Sequence, residues 1–344
     1  MARKVLVIKL GTAVITNKEG NVDEDVVKKV ADEVASLSET YHVVIVSSGA
    51  VASGKKFLKD YKGTLSERKA AAAVGNPILI QLYHQHLKRH GLTVAQALCE
   101  RMHFSNRTQF LQLKETFGTF WDNNVVPVVN ENDLVSNVEI KFSDNDELAT
   151  LIAIAFDAPT LILCTSTGGL LNSEKQIIER IEKVDASVMK FVSAEKSNTG
   201  LGGMLSKLTF TRLATSLGIN VVICGLKGDG PLKAAIEGRN GSYFVPQQSN
   251  LGARQKWLAS GSVTLGTIHV DKGAARALQA RKSLLTVGIT NAEGKFVAGE
   301  VVQLMDEEGQ ILGVAKTRMR ADEVNAQLKE KNVVAAHADD IVMF

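Results

Sequence analysis

Up to about residue 245 the chain alternates between two hydrophobic periods. Mostly apolar runs at Val5–Ile8, Val43–Val46, Leu92–Leu98, Val125–Val129, Thr160–Cys164 and, as the final strand of the pattern, Val221–Gly225 read as buried strands. Between them apolar residues recur at helical spacing, as at Val26, Val27, Val30 and Val34 within Asp23–Ser36, and predict surface helices. Glu67–His90 reads as helices interrupted at Gly75-Asn76-Pro77. Asn106–Asp122 and Leu208–Leu217 read as further helices, and Pro231–Gly238 as a short one. Strand and helix in alternation specify an α/β domain, a mostly parallel sheet sandwiched by helices. After that the texture changes. Ser249–Gly261 is a polar, helix-poor connection around Trp257. From Ser262 the runs are short and alternating, with turns at Glu293-Gly294, Glu307-Glu308-Gly309 and His337–Asp340. This predicts a small β-rich domain. The expected division is a first domain over residues 1–248 and a second over 262–344.

Composition narrows the class without changing this layout. With 344 residues, 45% hydrophobic and 22% charged, the chain has enough apolar content for a sizeable core in each of two domains. A formal charge of +3 is too small to imply an acidic polymer as obligatory partner. Cys99, Cys164 and Cys224 lie far apart inside apolar runs, which suits reduced core thiols better than a disulfide framework or a zinc site. No run approaches transmembrane length, and the apolar run after Met1-Ala2-Arg3-Lys4 is too short for a secretory signal. The expected location is the cytoplasm, with no membrane contact.

The candidate chemistry gathers at the carboxyl ends of the apolar runs, where open α/β sheets bind ligands. The run Val125–Val129 feeds into Asn130-Glu131-Asn132-Asp133, and Asp144-Asn145-Asp146 opens a helical pattern through Phe156. One or two such groups suffice to cap a helix, and Ser143 with Asp146 has capping-box spacing. Two acid-and-amide clusters brought together by a loop make a pocket for an amino group or a metal. Lys9 ends the first run and is followed by Gly11. A lysine there is excluded from the sheet interior and accepted at the rim. Small residues in Ser47-Ser48-Gly49-Ala50 let backbone N–H groups approach an anion at a strand-to-helix turn, although the turn is not a Walker-type loop. Ser197–Lys207 combines glycines at 200, 202 and 203 with a second lysine early in a helix. Together the two lysines and glycine turns resemble a phosphate clamp. His84, His86 and His90 lack the carboxylate of a metal-binding H-E-x-x-H pattern and read as a solvated face.

On Val7–Thr12, Ser47–Ala50, Arg68–Gly75 (RKAAAAVG), Val126–Asp133 (VPVVNEND), Asp144–Asp146 and Gly202-Gly203-Met204 with Lys207, the first domain resembles the amino-acid kinase family. Ser283–Leu285, Gly288-Ile289, Gly299–Val301 and His337–Ile341 resemble the PUA module appended to the glutamate-phosphorylating branch of that family. The resemblance implies ATP-dependent phosphorylation of the γ-carboxylate of L-glutamate, the first step of proline synthesis. In that reading Lys9, Asp146 and Lys207 are catalytic, the aspartate holding the two lysines. Ser48, Asp133 and Asn145 bind glutamate, with Asp133 suited to the α-ammonium. Gly11, Gly49, Thr165, Ser166 and the loop Leu201, Gly202, Gly203, Met204, Leu205, Ser206 and Lys207 bind nucleotide and phosphate. Mg²⁺ travels with ATP and has no dedicated protein site. The family also implies a dimer or tetramer, and coupling to the glutamyl phosphate reductase that consumes the product.

The chain departs from the family pattern at several of these positions. Ser166 stands where Asp is usual, Leu201 for Thr, Ala13 for Ser, Asn76 for Gln and Thr286 for Pro, and the stretch between Leu170 and Gly200 is short. The expectation is a working phosphoryl-transfer centre with altered nucleotide affinity or preference. Two other functions stay open at this point. Ser166 and Leu201 also suit a metabolite-binding regulator without catalysis, and a kinase for a related amino-acid carboxylate shares the same machinery. Lys272, Arg276, Arg281 and Lys282 in the tail are consistent with RNA contact, but an ordinary solvated face is the preferred reading.

Overall fold

Lys4–Leu10 is apolar on both faces because both are covered, which makes it the central strand, β1. The computed structural model describes residues 3–105, 107–134, 144–193, 203–248 and 264–343. After β1 come a one-turn helix α1 (Thr12–Ile15), α2 (Glu24–Ser38), β2 (Tyr41–Ser47), α3 (Ala50–Gly54) and α4 (Leu65–Leu87). Then follow β3 (Thr93–Cys99), α5 (Met102–Ser105), α6 (Arg107–Asp122), β4 (Val125–Glu131), α7 (Asn145–Ala155), β5 (Thr160–Cys164) and β6 (Arg180–Ile181). The first sheet closes with α8 (Ala186–Ser193), α9 (Met204–Ser216), β7 (Asn220–Cys224), α10 (Pro231–Ile236) and β8 (Ser242–Phe244).

The eight strands run in the order β3-β4-β2-β1-β5-β7-β8-β6. All pairings from β3 to β7 are parallel; β8 pairs antiparallel with β7, and β6 pairs parallel with β8. The chain moves outward from β1 through β2 on one side and later returns to add β5 on the other. The carboxyl end of β1 is therefore the topological switch point, where a crevice opens beside the strand. In register, Leu10 lies opposite Ser47 and Cys164, so these strand ends share one rim.

Alternation along β1 divides its neighbours. Leu6, Ile8 and Leu10 join Val27, Val30, Val34, Leu79, Tyr83 and Leu87 of α2 and α4 in one core cluster. Lys9 falls on the opposite face, the side of α7. From Asp146 to Ala155 every residue of α7 is buried, so this helix is enclosed on all sides rather than amphipathic.

Four sequence expectations are corrected here. Helix α4 runs unbroken through Gly75-Asn76-Pro77. A Cβ on Gly75 would stand 1.8 Å from the Ala50 carbonyl oxygen, and one on Gly54 would stand 1.9 Å from that of Ala71. The glycines are there because α3 and α4 touch backbone to backbone, not because the helix breaks. Secondly, the α7 cap is Asp144, whose Oδ1 accepts from the N–H groups of Asp146 and Glu147; Ser143 lies outside the described residues. Thirdly, His86 is buried, with Nδ1 accepting from Arg89 at 2.6 Å and Nε2 3.2 Å from Glu24. Finally, Val221–Gly225 is not the last strand of the sheet, since β8 and β6 extend its edge. The Ser249–Gly261 connection lies outside the described residues.

The chain divides into two compact units, residues 1–100 with 112–249 and residues 101–111 with 250–344. The second unit is β-rich. A five-stranded sheet is ordered β11 (Ile289–Gly294), β9 (Thr264–Val270), β12 (Val301–Met305), β13 (Ile311–Lys316) and β15 (Ile341–Met343), beside a two-stranded pair of β10 (Leu284–Leu285) and β14 (Val334–Ala336). Its own core includes Ile268, Val270, Leu304, Ala315 and Val324. Cys99, Cys164 and Cys224 are buried and free. Among the described residues no helix is long and apolar enough to cross a membrane.

Candidate active site

Asp146 has no solvent exposure, which is costly for a carboxylate unless cations meet it. Two do. Lys9 Nζ, from the penultimate position of β1, lies 2.7 Å from Oδ1, and Lys207 Nζ, from the first turn of α9, donates to Oδ2 at 2.7 Å. The lysines are themselves only 4% and 6% exposed. The triad thus carries net positive charge in a site with little water. Burial holds the Lys9 ammonium below the ordinary lysine range; Asp146 opposes that shift and the Lys207 charge adds to it. Asp144, which also interacts with Lys9, offsets part of the triad's net charge, and an arriving anion offsets the rest.

Asp144 stands at the head of α7, and its Oδ1 is used by the cap. Its Oδ2 is buried and makes no well-formed hydrogen bond, with the Ser206 hydroxyl in its vicinity. Burial raises the Asp144 pKa, and the Asp146 charge raises it further. Among the described residues no cluster of three or more His, Cys, Asp or Glu forms a dedicated metal cage.

The rim of the sheet supplies small and polar groups. Gly11 caps the one-turn α1, and a Cβ built on it would meet Lys9 Nζ at 3.6 Å, so its lack of a side chain leaves the ammonium approachable. Gly49 caps α3 at φ 108°, a conformation that favours glycine. Ser48, just before it, accepts from Asn145 Nδ2 at 3.1 Å, and the same nitrogen donates to Asn130 Oδ1 at 3.0 Å. Ser48 and Asn145 are therefore joined. Asp133 lies in the turn just past β4, at the same rim.

Thr165 and Ser166 follow β5, with the Thr165 N–H bonded to the Cys224 carbonyl at 2.8 Å and Ser166 exposed. Gly203 is the N-cap of α9 with no side-chain cap, and Met204, Leu205 and Ser206 form its first turn. Leu205 is exposed, while the Ser206 hydroxyl is buried. Leu201 and Gly202 lie outside the described residues. Sequence reasoning did not assign roles to Asp144, Asn130 or Asn76. Asp144 and Asn130 lie in the acid-and-amide stretch that stood out in the sequence. Asn76 stood out only as a departure from the family's usual Gln, after the RKAAAAVG segment.

This arrangement places fixed cations, strand-end glycines and acidic and amide side chains on one rim, which suits transfer of an anionic group between anionic partners. The comparisons agree. The amino acid kinase family model matches residues 4–225, and the PUA domain model matches residues 266–338. Glutamate 5-kinase of Dehalococcoides mccartyi is 35% identical, covering 98% of this chain and 93% of the relative. That of Streptococcus pneumoniae (strain Hungary19A-6) is 35% identical, covering 99% and 96%. Among solved structures, carbamate kinase from Giardia lamblia bound to AMP-PNP aligns over 72% of this chain and 99% of its own, with a TM-score of 0.51 at 17% identity, a likeness of fold. From the first strand to the tail, the chain belongs to the amino acid kinase family, in its glutamate 5-kinase branch with a C-terminal PUA domain.

Proposed function

We propose that the chain transfers the γ-phosphoryl group of ATP to the γ-carboxylate of L-glutamate, giving γ-glutamyl phosphate for proline synthesis. The observation that carries the reading is the single carboxylate of Asp146 held between two buried lysines from opposite ends of the kinase domain.

The acceptor carboxylate is already an anionic nucleophile at neutral pH, so no general base is needed. What opposes reaction is repulsion between two anions and the charge on the phosphoryl group in flight. Lys9, beside the approachable rim at Gly11, and Lys207, on α9, supply fixed positive charge from two sides. Asp146 keeps both ammonium groups in place and stops them from repelling each other apart. Backbone N–H groups at Gly11 and Gly49 bind phosphate oxygens. Ser48 and Asn145, joined by their hydrogen bond, bind the amino acid together with Asp133. Thr165, Ser166 and the first turn of α9 flank the nucleotide. Bound Mg²⁺ neutralises charge on the triphosphate and arrives with it. The one buried carboxylate oxygen of Asp144 without a well-formed hydrogen bond is the group suited to face the ion or its water shell. The enzyme works as a homo-oligomer in the cytoplasm, and its acyl phosphate product requires a reductase to consume it.

The test is an acyl-phosphate trap. With ATP, Mg²⁺, L-glutamate and hydroxylamine, hydroxamate is expected to accumulate in proportion to enzyme and to vanish when glutamate is omitted. Hydroxamate from another amino-acid carboxylate but not glutamate would overturn the substrate assignment. ATP binding without any hydroxamate would favour the regulator.

A further inference from the structure

The pocket that faces the amino acid is wired to a residue one layer behind it. Asn76 lies within α4 and is 7% exposed. Its Oδ1 accepts from Asn130 Nδ2 at 3.2 Å, at the end of β4. Asn130 Oδ1 in turn accepts twice, from the Glu131 N–H at 3.0 Å and from Asn145 Nδ2 at 3.0 Å. Asn145 Nδ2 has a second hydrogen, and this goes to Ser48 Oγ at 3.1 Å.

Each amide has a donor end and an acceptor end, so a chain of them has a direction. The Glu131 backbone N–H can only donate, so Asn130 must hold its oxygen toward Glu131 and Asn145 and its nitrogen inward, where the Asn76 oxygen is the acceptor that nitrogen needs. Asn145 then spends both Nδ2 hydrogens on protein and keeps Oδ1 as its remaining hydrogen-bonding group, to which no described residue donates. Ser48, having accepted from Asn145, keeps its hydroxyl proton to donate. The wall of the pocket therefore presents an acceptor at Asn145 and a donor at Ser48, polarities that match an ammonium and a carboxylate. Asn76 is also well placed to act as the anchor. It follows Gly75, which has no room for a Cβ against the Ala50 carbonyl, so its backbone is pinned to α3, the helix that begins just after Ser48 and Gly49.

We propose that Asn76 is a positioning residue that holds the polarity of the substrate pocket by pairing the buried Asn130 nitrogen, keeping Asn145 Oδ1 directed to the α-ammonium of the amino acid and leaving Ser48 to donate to a carboxylate. The proposal rests on the functional reading above, in which Ser48 and Asn145 bind the substrate. Without the Asn76 oxygen, Asn130 Nδ2 is left buried and unpaired, a cost that favours reorientation of the amide and of everything hydrogen-bonded to it.

The test compares L-glutamate with glutarate, which lacks the amino group, in the hydroxamate assay. Asn76→Leu keeps the side-chain shape and removes the acceptor; Asn76→Asp keeps an acceptor oxygen; Asn76→Ser, too short to reach Asn130, replaces the Leu variant if that one does not fold. The expected result for Leu or Ser is a fall of about tenfold or more in the ratio of kcat/KM for glutamate over glutarate. It should be carried by KM for glutamate, with KM for ATP within about twofold of wild type and the ratio retained in Asp. An unchanged ratio in Leu or Ser overturns the proposal. An equal fall in all variants assigns the effect to packing and overturns it too. If the wild type turns over neither compound, the functional reading itself fails, so the two failures are distinguishable.

Discussion

At the scale of single residues the site depends on where one proton sits. Lys9 is held below the ordinary lysine value of 10.5 by burial, with Lys207 adding to the effect and Asp146 opposing it. In the window between the lowered folded value and 10.5 the unfolded chain binds the Lys9 proton and the folded chain does not. Stability therefore rises with pH across that window through this group. Phosphoryl transfer needs the cation, so activity falls over the same window. The expected outcome is opposite slopes for denaturation midpoint and kcat/KM at alkaline pH. In Lys9→Met the stability slope disappears, because methionine keeps the stem and removes the charge. Matching slopes for the wild type would contradict the assignment of the titrating group to Lys9. In the sequence Lys9 was legible because a charge ending an apolar run belongs at a rim. Its partners, Asp146 and Lys207, came from the family resemblance and not from spacing, because pairing distance is a property of the folded chain. The cap illustrates the same limit. Ser143 and Asp146 had capping-box spacing, yet Asp144 caps α7 and leaves the Asp146 side chain for the lysines.

At the scale of elements, α3 and α4 set the position of the rim. Their backbones meet at Gly54 and Gly75, where a Cβ would stand under 2 Å from a carbonyl oxygen. Gly75→Ala must push the helices apart, and overpacking of this kind typically costs about 1–3 kcal/mol. Because Ser48 and Gly49 lead into α3, the displacement reaches the substrate side of the site. The expected outcome is a lower denaturation midpoint together with a kcat/KM for glutamate reduced at least about tenfold. Wild-type stability in Gly75→Ala would contradict the close approach. This contact explains the sequence misreading of α4. Glycine, asparagine and proline in a row signal a break when local propensity decides, and here tertiary contact overrides it. His86 was misplaced for a related reason: polar neighbours suggested a wet face, but the ring is buried, with Arg89 donating to Nδ1 and the Glu24 carboxylate beside Nε2. Strands β6 and β8, of two and three residues, are too short for a period-two pattern to register.

At the scale of the whole molecule, the alternation of periods up to residue 245 and the shorter runs after it were enough to read a parallel α/β unit and a β-rich one. The grouping of residues 101–111 with the tail unit was not legible, since no local pattern marks it. Nor was the strand order, which decides that β1 lies at the switch point and that α7 and α9 deliver Asp146 and Lys207 to the same face of it. That convergence is the central claim: two lysines remote in the chain act on one transferred phosphoryl group. It is tested most directly by hydroxamate formation from ATP and L-glutamate at saturating concentrations in Lys207→Ala beside the wild type. A rate lower by about 100-fold or more is expected for the variant, since removal of a preorganised charge stabiliser typically costs two to three orders of magnitude. A folded Lys207→Ala enzyme working within about threefold of the wild type would contradict it.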